Sequence, residues 1–139
     1  HCRQPTHQET KHTKALIHQG NAARITGLAS VFTSADMVAA IIVGNGGSPS
    51  PEEIQRRQFG YWCMSLVVSM EDTFGQHEDG LISEDRFNSF RAGVAGGVMQ
   101  PGMRRYWVTW KAARPNAQEK FKAWVDAIIA SQAGQNLPS

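Results

Sequence analysis

The stretch FGQHEDGLISEDRF, residues 74–87, is the nearest thing to a chemical motif in the chain. An acidic residue, a glycine and an isoleucine two positions later are the grammar of a helix–loop–helix calcium site. Such a loop takes oxygen ligands at positions 1, 3 and 5, glycine at 6 and a bidentate glutamate at 12. With Gly80 at the sixth position, Gly75, His77, Asp79 and Arg86 fall at the first, third, fifth and twelfth. One ligand side chain of four survives, and a cation stands where the carboxylate belongs, so calcium is not expected. The stretch reads as a turn, in which Asp79-Gly80 lets the chain take a positive φ and Ser83 caps the next helix.

Histidine offers a second possible chemistry. His1, His7, His12 and His18 lie within the first eighteen residues. Successive members are five or six apart, whereas a metal pair on a helix needs three or four, and no cysteine or carboxylate completes a tetrahedral set. They read as solvated side chains, and no metal or other cofactor is expected. A nucleophile is no better supported. There is no G-x-S-x-G elbow, and Cys63 sits in apolar YWCMSL, where burial would raise its pKa and make it inert. Cys2 and Cys63 allow one disulfide at most, and a buried free thiol is the commoner state for such a cysteine. GNGGSP lacks the Lys-Ser/Thr of a phosphate-binding loop and follows a helix, so it is a loop.

Aromatic and basic residues remain. Trp62, Trp107, Trp110 and Trp124 sit at helical spacings that usually mean core. Arg104, Arg105, Tyr106 and Trp107 are consecutive, so some of them face outward, and Trp-Tyr-Arg groups are the raw material of interface hot spots. Long basic side chains also commonly cover apolar surface, which is the plainer account of the arginine pair.

Six helices position these groups, and no strand is expected. The first covers about 6–32, with Ala15, Leu16, Ala22, Ala23, Ile25, Leu28 and Phe32 as a broken stripe and a polar first half, HQETKHTK, that should project. The second spans about 34–43, with Ser34 as its cap and Gly44 closing it. The third opens at Ser50-Pro51-Glu52-Glu53 and carries Phe59, Trp62, Leu66, Met70 and Phe74 at spacings of three or four, which makes it central. The fourth starts at Ser83 and buries Phe87, Phe90, Val94 and Val98. Its Gly93, Gly96 and Gly97 each cost about 1 kcal/mol relative to alanine, which suggests close helix approach or an early end. The fifth follows Pro101, and the sixth follows Pro115 and a cap at Asn116, with Phe121, Trp124, Val125, Ile128 and Ile129 in period.

The expected architecture is all-α, one irregular bundle of about six helices. Residues 1–14 form a polar, basic start, 15–132 the helical domain and 133–139 a flexible tail. A 139-residue chain can bury one core, and a net charge of +2 argues against nucleic acid.

The order of these features resembles a widespread family of uncharacterised bacterial proteins with one N-terminal transmembrane helix and a helical soluble domain. The resemblance rests on ETKHTKALIHQGNAARI, a proline-glutamate helix start, FGQHEDGLISEDRF, VMQPGMRRYWVTWKA and EKFKAWVDAII, and covers roughly residues 10–130. Phe87 stands where a tryptophan is common there, and Tyr106-Trp107 where a tryptophan pair is common. The resemblance implies a membrane helix before His1 and transfers no catalytic residue. Arg3, Lys11, Lys14 and Arg24 outnumber Glu9 in the first segment, which favours the cytoplasmic side and suits anionic headgroups.

Two readings follow. One is a membrane-tethered interaction or accessory domain without catalysis, with Arg104, Arg105, Tyr106 and Trp107 as its candidate surface and a protein partner or membrane complex. The other is a soluble small-molecule-binding or sensor domain, with a pocket lined by aromatic residues of helices three, five and six.

Overall fold

The computed structural model of the chain describes residues 2–135, and the side chains of residues 22, 25, 26, 28–32 and 135 lie outside the described set. Among the described residues there are six α-helices and no strand: α1 (His7–Phe32), α2 (Ala35–Gly44), α3 (Pro51–Glu78), α4 (Glu84–Val98), α5 (Pro101–Ala112) and α6 (Glu119–Gln135). The class is all-α, as the periodicity predicts. The chain divides into two compact units, one ending at Leu81 and the other starting at Ile82. Four residues of the expected tail, 136–139, lie outside the described residues, and α6 occupies the rest of it up to Gln135.

Most helix starts are set by single residues. The Ser34, Ser50 and Ser83 hydroxyls accept from the amides of Met37, Glu53 and Arg86 at 3.2, 3.1 and 3.3 Å. Each thereby satisfies an amide that the helix itself leaves unpaired. Thr6 and Glu9 form a reciprocal capping box at the start of α1, with Thr6 N–H on Glu9 Oε2 at 2.6 Å and Glu9 N–H on Thr6 Oγ1 at 3.2 Å. The Thr6 amide and hydroxyl hold the Glu9 carboxyl below its ordinary range. Two boundaries fall elsewhere than expected. α2 runs through Gly44, and its C-cap is Asn45, followed by Gly46 with φ +82°, where Gly44 was the expected cap. α6 starts after Gln118, whose φ is +62° and whose carbonyl accepts from the Lys122 amide, rather than at an Asn116 cap.

In the first unit α1 runs antiparallel to α3: His18 reaches Asp72 and Asp79 near the end of α3, while Gln58 donates to the Thr33 carbonyl at 2.7 Å. Of the polar segment 7–14, Lys11 and Lys14 reach the Asp79-Gly80 turn that follows α3, while His7, Gln8, Glu9 and Thr10 are exposed. The described core is Val38 and Ile42 of α2 with Cys63, Val67 and Met70 of α3. The buried stripe of α3 is thus turned relative to the expected one, and Phe59 and Trp62 face outward. Its apolar positions cover more of the helix circumference than neighbouring helices can cover, so burial selects among them.

The second unit buries Phe87, Val94, Ala95 and Val98 of α4, Met103, Trp107 and Trp110 of α5, and Phe121, Val125 and Ile128 of α6. Each large side chain taken fully out of water contributes roughly 1.5–3 kcal/mol. α4 continues to Val98, and a methyl group added at Gly93, Gly96 or Gly97 would meet nothing within 4 Å, so neither a close helix approach nor an early end accounts for them.

Candidate functional site

The turn that opened the sequence argument is a docking place for α1. Asp79 closes α3 and Gly80 follows with φ +69°, as the Asp-Gly pair predicts. His18 lies between two carboxylates, Nε2 at 3.0 Å from Asp79 Oδ2 and Nδ1 at 3.3 Å from Asp72 Oδ1. Lys14 Nζ stands 3.9 Å from Asp79 Oδ1. Gln76 holds the other oxygen of Asp72 at 2.7 Å. At both glycines of this turn region a Cβ would meet α1 only at ordinary contact distance. A Cβ at position 75 would stand 3.4 Å from His18 Cε1, and one at position 80 would stand 3.7 Å from Lys11 Nζ. Beside this contact lies an open cleft of about 220 Å³, lined by Gln8, Lys11, His12, Ala15, Gly80 and Leu81.

The four basic residues singled out near the N-terminus separate by role. Arg3 and Arg24 are exposed, Lys14 pairs with Asp79, and Lys11 is half-buried beside Gly80. Nothing in the spacing of histidines suggested that His18 differs from the others. Its partners are 54 and 61 residues away, and only the antiparallel packing of α1 on α3 brings them together.

The Arg104–Trp107 group is split by the helix it belongs to. Arg104 and Arg105 are exposed, Tyr106 is half-buried, and Trp107 is buried at 1% exposure. Trp107 is therefore removed from the candidate surface: its position on α5 points inward, where it stacks on Trp110 at 5.3 Å and meets the edge of Phe121 at 5.6 Å. Its indole N–H donates to Asp126 Oδ1 at 2.9 Å, and Lys111 Nζ reaches the same carboxylate at 2.9 and 3.0 Å. Val108, one turn beyond Arg104, completes an outward face of α5 with Arg105. Phe87 and Phe90 stack on Trp124 at 5.3 and 6.0 Å and lie tilted to each other at 6.3 Å. The aromatic rings of α5 and α6 fill one another's space as core, and Trp62, the α3 member expected to line a pocket with them, is exposed.

That exposure marks the surface that sequence spacing assigned to the core. Phe59 and Trp62 are 45% and 50% exposed, with ring centroids 5.8 Å apart. Exposed Arg56 precedes Phe59 by one turn. Cys63, the neighbour of Trp62, is fully buried and free, and Cys2 is free and exposed, so the two do not pair. Burial raises the Cys63 thiol above its ordinary pKa.

Among the described residues no group of three or more histidine, cysteine, aspartate or glutamate side chains is arranged to hold a metal ion. No family model, curated protein or solved structure matches this chain.

Proposed function

We propose that this chain is a helical interaction domain, held at the cytoplasmic face of a membrane by a segment preceding His1 and acting through protein contacts rather than catalysis. The observation that carries the reading is the Phe59–Trp62 pair, two large rings in contact with each other and half open to water beside Arg56. Interface hot spots are enriched in tryptophan, tyrosine and arginine, and contiguous exposed apolar patches mark interaction sites. Arg104, Arg105 and Tyr106 of α5 are a second group of the same chemistry.

The tether rests on the family resemblance and on the basic character of the first segment. No described helix is long and apolar enough to cross a membrane, so the span would belong to sequence outside this chain.

The test uses the full-length protein in cells of its source. A photo-crosslinking amino acid is placed at position 59 or 62, and separately at 104 or 105, with exposed Ala127 of α6 as control. A discrete adduct at 59 or 62, recovered with membranes and absent from the control, is expected. Recovery in the soluble fraction with no adduct at any of the four positions overturns the reading.

A further inference from the structure

In the first half of α1, residues 7–21, no side chain is buried. This half is fastened by polar contacts and one ion pair, Lys14 with Asp79. Lys11, Lys14 and His18 share one face of the helix, and Lys14 and His18 reach Asp72 and Asp79. These pairs are partly wet: the Lys14 side chain is 54% exposed, and those of His18 and Asp79 about a third. Ion pairs in such positions are weak and are screened by salt. An apolar helix face leaves its partner only by exposing hydrocarbon, whereas a face of this kind can exchange one set of anions for another.

We infer that the first half of α1 is a releasable strap, its lysine–histidine face held in turn by the Asp72–Asp79 carboxylates and by an anionic lipid surface. Charge complementarity selects the occupant. Arg3, Lys11, Lys14 and Arg24 face a single acidic residue, Glu9, in the same stretch. A negatively charged leaflet attracts clustered lysine and arginine within a Debye length of its surface. The position of this segment beside the bilayer rests on the tethered reading, but the affinity of the strap for lipid does not, so the two can fail separately. In the closed state Asp72 and Asp79 neutralise part of the basic face. In the open state that face is free, and the α3 surface around Gly75 and Gly80 is uncovered.

Purified chain 1–139 provides the test, by hydrogen exchange and by flotation with vesicles of phosphatidylcholine alone or with about 30% phosphatidylglycerol. Amides of residues 11–20 should exchange at least about tenfold faster than those of residues 63–74, and faster still in about 0.5 M salt. The chain should float with anionic vesicles only. Asp72→Asn/Asp79→Asn should raise that binding severalfold, and Lys11→Gln/Lys14→Gln, altering side chains outside the core, should abolish it. Equal protection of α1 and α3, or anionic binding unchanged by both double variants, overturns the proposal. Binding to polyglutamate but not to vesicles overturns lipid as the occupant. Full-length protein found in the soluble fraction would sink the tether while leaving the vesicle result standing.

Discussion

Trp107 and Asp126 are joined between α5 and α6 by a 2.9 Å hydrogen bond from the indole Nε1 to Oδ1. The ring is buried against Trp110 and Phe121, while the carboxylate is open enough to take Lys111 as well. One side chain thus satisfies a buried donor and holds a cation. Asp126→Ala should cost about 1–3 kcal/mol, because the indole N–H loses its acceptor inside the core. Asp126→Asn keeps an acceptor and should cost less. Denaturant midpoints at unchanged slope measure both, and equal stability of the alanine variant and the parent would show that the bond contributes nothing.

The two tryptophans that sequence spacing treated alike should respond very differently. Trp107→Ala opens a cavity in the second unit and should cost about 3–5 kcal/mol. Trp62→Ala removes a half-exposed ring and should stay within about 1 kcal/mol of the parent. Thermal unfolding of the pair reads this directly, and acrylamide quenching should reach Trp62 but not Trp107.

Gly80 carries φ +69°, a conformation that costs an L-residue roughly 1–2 kcal/mol. Gly80→Ala should lose about that much, whereas Gly80→Asn, which tolerates the left-handed region, should lose less. A Cβ here is 3.7 Å from Lys11 Nζ, an ordinary contact, so the cost should come from backbone rather than crowding. Identical melting temperatures for the alanine and asparagine variants would contradict that origin.

Burial holds the Cys63 thiol protonated beyond the usual thiol range. The unfolded chain then loses its proton first as pH rises. Stability from this group is fully present below the ordinary thiol pKa and declines above it, until the folded thiol also titrates. In native protein near pH 8, a thiol reagent should modify Cys2 quickly and Cys63 only on unfolding. Mass spectrometry of the labelled peptides distinguishes the sites, and comparable labelling of both would show that Cys63 is accessible.

Helix number and class were legible because their causes are local. Ser34, Ser50 and Ser83 act on amides three residues away, and Pro51 and Pro101 begin helices where a missing N–H costs nothing. The Thr6–Glu9 box had a readable signal as well, a threonine three residues before a glutamate. The α4 glycines show the opposite case. Their composition suggested a close neighbour, yet the packing of the unit provides none.

Sequence alone determined an all-α chain, the Ser34, Ser50 and Ser83 caps, the Asp79-Gly80 turn and the inward period of α6, because each follows from contacts within a few residues. Tertiary structure decided the rest. It put Phe59 and Trp62 outside, drew Trp107 away from Arg104 and Arg105, and set His18 between Asp72 and Asp79. Helical period names the residues on each face of a helix, but which face is covered depends on neighbours brought from far along the chain.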